Sequence, residues 1–434
     1  MKIKYFLAIL LSIAIFTSCT KNSEKIYQNN VFDKTVENYL FIELSMGLHD
    51  KNHVDAYFGP ESIQALAKRD KIPLEAIMSN IHTIREQLDS LLNYFEKDLI
   101  IRKRIIGLFL RIRALETRIK LFQGYSIPFD EESKLLFGVQ APTYDSTYFE
   151  NILNQIDALV PGEGNLSERV NNFRHQFIVP PELLPEVFKA AINECRRRTL
   201  EHIDLPRNES FVIEYVKNKP WSGYNWYQGD AKSLIQINTD LPISIDRAID
   251  LGCHEGYPGH HTYNVLKEKN LVKKLHWNEF SLYPLFGHQS LIAEGSANFG
   301  IDLAFSKNNR INFEQQTLFP LAELDSAQAG QYYNLLELMS GLNYAGNEAA
   351  RSYLNGEKTR EEAVSWLIKY SLSSQESAEK RVDFFDTYRS YVINYNLGKD
   401  LVKNYIETGM SDQNSKWEKF IDMLSTQILP ADLL

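Results

Sequence analysis

The chain has 434 residues, a formal net charge of −9 and only three cysteines. Hydrophobic residues make up 44% and charged residues 24%, as in ordinary globular proteins, which excludes wholesale disorder. The few cysteines exclude a disulfide-rich scaffold and a four-cysteine zinc module, and the acidic balance argues against nucleic acid as a partner.

The N-terminus has the pattern of an export signal. Two lysines precede an apolar run over 5–16, which is shorter than the about 20 residues that span a bilayer as a helix. The small residues after this run lead into Cys19 and resemble a bacterial lipobox. We therefore predict a signal peptide over 1–18, lipid attachment at Cys19 and a polar tether over 19–30. This pattern predicts an exported bacterial lipoprotein that its N-terminal lipid anchors in the membrane of the cell envelope. The alternative is an ordinary signal peptide with a chance cysteine.

Most of the remaining chain has the periodicity of helices. Over 74–121, apolar residues recur every three or four positions. This segment is also rich in arginine and lysine, and a packed helix is favoured over a helix that binds a membrane surface or nucleic acid. Further helices are predicted over 146–160, 164–176, 181–203, 310–339, 344–355, 360–371, 375–406 and 412–427.

The β signal is confined to two segments, 210–216 and 233–238, which alternate or run apolar between turn residues. No repeat, low-complexity block or flexible linker divides the mature chain. The sequence therefore predicts one mainly α-helical domain over 31–434 with a small antiparallel β-sheet.

Three of the ten histidines lie within eight residues, namely His254, His260 and His261. His254-Glu255 begins like the H-E-x-x-H motif, in which two histidines at positions i and i+4 bind zinc and the glutamate activates a water molecule. Here the i+4 position is Pro258, which cannot bind a metal ion.

A straight helix cannot bring two of these histidines to one metal ion. On such a helix His261 lies about 10.5 Å beyond His254 along the axis, and His260 lies about 240° around it. Because Pro258 lacks an N–H group and Gly259 admits unusual backbone angles, a bulge there could return either histidine to the ion. His260 needs the smaller insertion and is the favoured second ligand, with His261 as the alternative.

Residues 254–261 resemble the signature of the bacterial family known as domain of unknown function 885. That family is regarded as distantly related to zinc metallopeptidases with a glutamate as third ligand. Weaker matches lie at 129–132, 136–138, 196–199, 293–297 and 395–398. The resemblance implies a zincin-like helical metallopeptidase architecture around one Zn²⁺ ion. The chain departs from the family pattern at Ser296-Ala297 and around 389–391.

The resemblance implies that His254, His260 and Glu294 are the metal ligands. Glu294 stands alone in an apolar stretch, where a carboxylate is costly to bury unless it binds metal or forms an ion pair, which is the alternative. Asn298, one helical turn later, could support a ligand by hydrogen bonding. Glu255 is predicted to be the general base and then the proton donor to the leaving amine.

Four other residues are candidates for contacts with the reacting group or the substrate. Tyr395 could stabilise an oxyanion through its phenol O–H, or pack in the core. Arg381 and Arg389 could receive a substrate carboxylate, or lie on a solvated helix face. Asn238 ends the strand that precedes the histidine motif, where an extended peptide could be held by strand addition.

These residues predict a lipid-anchored zinc hydrolase, foremost a metallopeptidase acting on a peptide or small amide. One alternative is an exported binding lipoprotein with a degenerate metal site, which the two departures from the family pattern favour. Another is a metal hydrolase of non-peptide amides or esters. The sequence leaves open the substrate, internal or terminal cleavage, the oligomeric state, and whether Cys195 and Cys253 form a disulfide.

Overall fold

The computed structural model describes residues 28–434. The predicted signal peptide over 1–18, the lipid attachment at Cys19 and the tether up to residue 27 lie outside the described residues. Residues 28–30, the end of the predicted tether, already belong to a helix. The backbone groups into two compact units, and the single domain predicted over 31–434 stays a prediction.

The first unit combines residues 28–53 with Gly59–Ile112 and is helical. Its helices are α1 (28–49), α2 (Glu61–Asp70), α3 (Leu74–Tyr94) and the first half of α4 (Leu99–Phe122). The buried residues of α3 recur every three to four positions, which is the spacing of one helix face.

The second unit combines Val54–Phe58 with Arg113–Leu434, and it is also mainly helical. Beyond the second half of α4, its helices are α5 (Phe129–Phe137), α6 (Ser146–Leu159), α7 (Leu166–His175), α8 (Leu184–Leu200), α9 (Asp246–Leu251), α10 (His260–Lys267), α11 (His288–Ala304), α12 (Lys307–Phe313), α13 (Phe319–Leu321), α14 (Ala329–Ser340), α15 (Tyr344–Leu354), α16 (Arg360–Tyr370), α17 (Gln375–Tyr388), α18 (Ile393–Glu407) and α19 (Gln413–Ser425). The mainly helical fold class is therefore confirmed.

Three of the long helices predicted from periodicity are interrupted. The run over 74–121 is divided between α3 and α4. The run over 375–406 breaks at Arg389 and the run over 310–339 breaks near Glu323, two residues with positive φ angles of 53° and 54°. A helix cannot continue through this left-handed conformation, although the apolar periodicity continues on either side of it.

The second unit contains two small sheets. The strands are β1 (Val54–Tyr57), β2 (Ser210–Val216), β3 (Gly223–Gly229), β4 (Lys232–Asn238) and β5 (Leu282–Pro284). β1 pairs with β5 antiparallel, whereas the other three form a sheet in the order β2-β4-β3.

The three-stranded sheet is mixed, which corrects the prediction of a purely antiparallel sheet. β3, which the sequence did not reveal as a strand, forms a hairpin with β4 through Asp230 and Ala231. Both turn residues have positive φ, as a type I′ turn requires. Along the chain β3 lies between β2 and β4, whereas in the sheet β4 is the middle strand. β2 and β4 run parallel.

Helix α11 forms the centre of the second unit and crosses α18 at very short range. A Cβ atom added to Gly295 would lie 2.4 Å from the carbonyl oxygen of Gly398. Only glycine therefore permits this backbone contact. The crossing brings Glu294 of α11 close to the first turn of α18, which contains Tyr395.

Within residues 28–434, no helix combines the length and the apolar character needed to cross a membrane.

Candidate metal centre

The histidine motif lies where one helix ends and the next begins. After α9 the backbone widens into a π-helical turn over Gly252–Gly256, and Tyr257 is extended. The N–H of Gly259 donates to the carbonyl of Cys253 at 2.9 Å, and α10 then begins at His260. A Cβ atom at position 259 would lie 1.9 Å from the carbonyl oxygen of His254, so the turn requires glycine there.

This turn brings His254 and His260 together, Glu294 of α11 lies beside them, and we call these three residues the metal cluster. The Nε2 atoms of the two histidines lie 3.1 Å apart. The carboxylate of Glu294 lies 3.2 Å from Nε2 of His254 and 3.5 Å from Nε2 of His260. Ligand atoms about 2.0–2.1 Å from a tetrahedral zinc ion are about 3.3 Å apart, so the spacing of the two nitrogens and the approach of one Glu294 oxygen to each of them suit such an ion.

Neighbouring side chains hold the metal cluster in place. Nδ1 of His254 lies 3.0 Å from Oδ1 of Asn298, which leaves Nε2 as the ligand atom if the Nδ1–H group donates. The amide of Asn298 in turn donates to the carbonyl of Tyr395 at 2.9 Å. The phenol of Tyr391 donates to Oε1 of Glu294 at 2.7 Å. No sequence motif indicated this contact.

The charges within the metal cluster are strongly coupled. Burial raises the pKa of Glu294, but His260 and His254 outweigh it and hold that pKa well below its usual range. Burial lowers the pKa of His254, but the effects of Glu294 and Glu255 outweigh that of burial and raise this pKa to about 9. Two histidines and a carboxylate this close form a concentrated set of donors for a divalent cation.

Glu255 lies beside the metal cluster. One ligand atom from each of Glu255, His254 and His260 lies within 4.8 Å of the others. Its Oε1 would lie 2.8 Å from a Cβ added to Gly223, so the start of β3 needs glycine to make room for this carboxylate. Burial raises the pKa of Glu255, while His254 and His260 lower it, and the net shift is upward. Glu255 therefore lies close enough to be considered as a ligand itself, and the measured contacts of Glu294 with both histidines favour Glu294 as the third ligand.

His261 belongs to a different arrangement, which we call the closed cluster and which consists of His261, Glu209 and Ser233. Nδ1 of His261 lies 2.8 Å from Oγ of Ser233, and Nε2 lies 3.1 Å from Oε2 of Glu209. Tyr257 and Arg196 also donate to Glu209. His261 is fully buried with both ring nitrogens engaged, so His260 is the second ligand that the geometry favours.

The metal cluster opens into a cavity of about 1340 Å³ within the second unit. Tyr395 lines this cavity, with its ring centroid 6.5 Å from that of His254. Phe384, Tyr388 and Tyr391 extend the same aromatic wall, with ring centroids 4.6 to 6.5 Å apart. The wall is suited to an apolar or aromatic substrate group.

Two residues predicted to bind substrate lie outside the cavity lining. The side chain of Asn238 donates to the carbonyls of Lys219 and Trp221, so it holds a loop. Arg389 forms an ion pair with the buried Glu132 at 2.7 Å. Both side chains are already engaged by groups that the sequence does not show, and their predicted role in substrate binding stays a prediction.

Arg381 lines the cavity, as do Arg247 and Arg310, which both pair with Asp250. The guanidinium carbon of Arg381 lies 5.0 Å from the ring centroid of Phe384. Burial lowers its pKa, and it forms no ion pair with a carboxylate of residues 28–434. A half-buried arginine without a carboxylate partner is a candidate site for a substrate carboxylate.

Asp55 also lines the cavity, and sequence reasoning missed it. It lies in β1, far from the histidine motif along the chain, and no motif surrounds it. Tyr224 of β3 donates a hydrogen bond to its carboxylate. A single acidic residue in a short strand forms no sequence motif, so the sequence did not indicate that Asp55 lines the cavity.

The two remaining cysteines meet beside the turn over Gly252–Gly256. The Sγ atoms of Cys195 in α8 and Cys253 lie 2.9 Å apart, and both side chains are buried as free thiols. Burial raises the pKa of Cys253 well above its usual value.

No family model matches the chain, and no curated protein matches its sequence. Among solved structures, the chain is similar to a presumed lipoprotein of Colwellia psychrerythraea, with 14% identity and a TM-score of 0.50, covering 84% of this chain and 63% of that one. It is also similar to an M32 carboxypeptidase of Deinococcus radiodurans, with 10% identity, a TM-score of 0.41 and coverage of 91% and 90%. A third is metallocarboxypeptidase 1 of Trypanosoma cruzi, with 9% identity, a TM-score of 0.40 and coverage of 91% of each chain.

At 14% identity, the similarity to the Colwellia protein shows the fold alone. The chain spans 63% of the length of that protein. Membership in the family that the histidine motif resembles stays a prediction, as does export by the N-terminal signal.

Proposed function

We propose that the chain is a zinc-dependent hydrolase, foremost a metallopeptidase acting on peptides or small amides. The observation that carries the proposal is the metal cluster, in which the two Nε2 atoms lie 3.1 Å apart and the two carboxylate oxygens of Glu294 lie 3.2 Å from Nε2 of His254 and 3.5 Å from Nε2 of His260. The donor set suits zinc, which binds imidazole nitrogen and carboxylate oxygen and in hydrolases keeps one position open. When bound, the ion supplies Lewis-acid activation of water and of the substrate carbonyl.

Glu255 would act as the general base. Its carboxylate is within reach of the space beside the metal cluster, and its backbone carbonyl accepts a hydrogen bond from the Asn225 amide at 2.7 Å, which fixes its position. In the proposed reaction Glu255 accepts a proton from the attacking water and later donates it to the leaving amine.

Tyr395 and Arg381, which also line the cavity, would act on the substrate. Within residues 28–434 no hydrogen bond engages the Tyr395 hydroxyl, so it is available to donate to a developing oxyanion. Arg381, one of the two arginines for which this role was predicted, would receive a carboxylate of the substrate through its paired N–H groups.

The test combines metal analysis with a peptide-cleavage assay on the purified protein. We expect one zinc ion per chain, and we expect Glu255→Gln to keep the zinc while the cleavage rate falls about 10²–10⁴-fold. Glu337→Gln is the matched control, because Glu337 lines the same cavity but pairs with Lys307 at its rim. The control should cleave at the wild-type rate.

The alternatives predict different outcomes of the same experiment. Absence of stoichiometric zinc would refute the hydrolase. Cleavage of amide or ester libraries without cleavage of peptides would identify a non-peptide hydrolase. Tight ligand binding that survives both a chelator and Glu255→Gln would identify a binding protein instead.

A further inference from the structure

Besides the metal cluster, the cavity contains a carboxylate that has no ion-pair partner among the described residues. Asp55 lines the cavity together with His254, Glu255 and Glu294. Among residues 28–434, no lysine, arginine or histidine forms an ion pair with it. Its one hydrogen-bond partner is the phenol of Tyr224.

The backbone directs Asp55 toward this position. In the pairing of β1 with β5, Val54 lies opposite Pro284 and Ala56 opposite Tyr283, so two steps along β1 match one step along β5. Asp55 is therefore the extra residue of a β-bulge. Bulges redirect a side chain that would otherwise follow the alternation of the strand, and they are common beside active sites.

A second polar group in the same part of the cavity has no partner. The Tyr283 hydroxyl is buried and has no hydrogen-bond partner within the described residues, and the residue is 6% exposed. Tyr283 also lines the cavity, and the charges of Glu294 and Asp55 help to raise its pKa. A buried hydroxyl without a partner is costly, so a ligand that pairs with it is stabilised.

The charges of this end of the cavity are unbalanced. Burial raises the pKa of Asp55, and the neighbouring carboxylates Glu294 and Glu255 raise it further. One divalent ion would compensate two of these three carboxylates. The third would be compensated by a cation that arrives with the substrate.

We propose that Asp55, with Tyr283 and Tyr224, binds a primary ammonium group of the substrate. This inference rests on the proposed function, because the ammonium group would be part of the substrate whose amide bond is cleaved at the metal cluster. An ammonium group donates up to three hydrogen bonds, and the Asp55 carboxylate and Tyr283 hydroxyl are acceptors. The substrate class is then a peptide with a free amine near the scissile bond. The amine is either its N-terminus or a lysine-type side chain.

The test measures binding in the zinc-loaded Glu255→Gln protein, which retains its ligands and does not turn substrate over. The probes are a tripeptide with a free N-terminus, its N-acetylated form, and an N-acetylated tripeptide that begins with lysine. By calorimetry we expect one of the two amine-bearing peptides to bind about 10- to 100-fold more tightly than the acetylated peptide without lysine. Which of them does so identifies the source of the amine.

Adding Asp55→Asn should abolish this preference. Asp302→Asn is the matched control, because Asp302 lines the same cavity but pairs with Lys399 at 2.8 Å, and it should leave the preference unchanged. If Asp55→Asn does not fold, Tyr224→Phe should reduce the preference, because it removes the phenol that orients the carboxylate.

Equal binding of all three peptides, no binding of any, or a preference that survives Asp55→Asn would overturn the ammonium site. Failure of the proposed function is distinguishable, because it shows as absent zinc or absent cleavage by the wild-type protein. Cleavage without an amine preference refutes this inference alone.

Discussion

The metal cluster and the closed cluster both place histidine beside a buried glutamate, and they differ in what their polar atoms contact. In the closed cluster, each ring nitrogen of His261 faces a partner within the protein, and Glu209 accepts hydrogen bonds from three residues. The group is closed to solvent, with side-chain exposures of 0% and 1% for His261 and Glu209. Its hydrogen bonds are complete, so it needs no further ligand.

The metal cluster is built in the opposite way. The two Nε2 atoms of His254 and His260 face each other and Glu294, so their lone pairs converge on one point. Oε2 of Glu294 accepts no hydrogen bond although it is buried. A histidine next to a carboxylate therefore indicates a metal site only where lone pairs converge without donors to satisfy them.

The largest expected effect comes from replacing each of the adjacent histidines. We expect His260→Ala to lose stoichiometric zinc and cleavage activity, because one of three ligands is removed. His261→Ala should keep its zinc but lose about 3 kcal/mol in the free energy of unfolding, because it removes two buried hydrogen bonds and leaves a cavity. Elemental analysis and denaturant unfolding of both variants check this. Loss of zinc from the His261 variant with zinc retained by the His260 variant would reverse the assignment.

The second prediction concerns the acid stability of the closed cluster. Burial raises the pKa of Glu209, but His261, Tyr257 and Arg196 outweigh it and lower the pKa from 4.5 to about 2. A carboxylate with a lowered pKa stabilises the folded state above its unfolded pKa and ceases to do so as the pH falls through its folded pKa. Wild type should exceed Glu209→Gln by about 3 kcal/mol in the free energy of unfolding at neutral pH.

This advantage should shrink as the pH falls from about 4.5 to about 2. Urea unfolding of both proteins across that range measures it. A stability difference that is unchanged at the acidic end would show that ionisation of Glu209 is not its cause.

The smallest effect is expected from a substitution at the crossing of α11 and α18. This crossing supports the metal cluster but not the closed cluster. Gly295→Ala should lower the free energy of unfolding by about 1–3 kcal/mol and weaken zinc binding, because its Cβ would meet the Gly398 carbonyl. Gly330→Ala in α14 is the control, since no atom lies within 4 Å of its added Cβ. It should stabilise the protein by about 0.5–1 kcal/mol. Equal effects of the two substitutions on zinc affinity would contradict the role of the crossing.

The sequence was informative where chemistry and local conformation coincide. The histidine spacing predicted that the helix must be interrupted at Pro258-Gly259, because no straight helix fits the metal. The isolated carboxylate of Glu294 was likewise conspicuous in an apolar segment. Helices were predictable from periodicity, but their interruptions at positive φ were not, because periodicity carries no information on single backbone angles.

The sequence failed where a role depends on partners far away in the chain. Arg389 and Arg381 look alike as sequence, and what separates them is the buried Glu132 that pairs with Arg389. Tyr391 and Asp55 reach the cavity through a helix crossing and a β-bulge, which are features of packing. β3 was missed because its glycines and alternating aromatic residues also suit a loop.

The position of the five residues Val54–Phe58 in the fold determines what a shortened form of this protein would lose. They belong to the second unit, although the chain on both sides of them belongs to the first. A descendant that lost everything before Arg113 would retain His254, His260 and Glu294 but lose β1 and Asp55. If the two proposals hold, the residues for cleavage and the carboxylate for substrate choice would then be inherited separately.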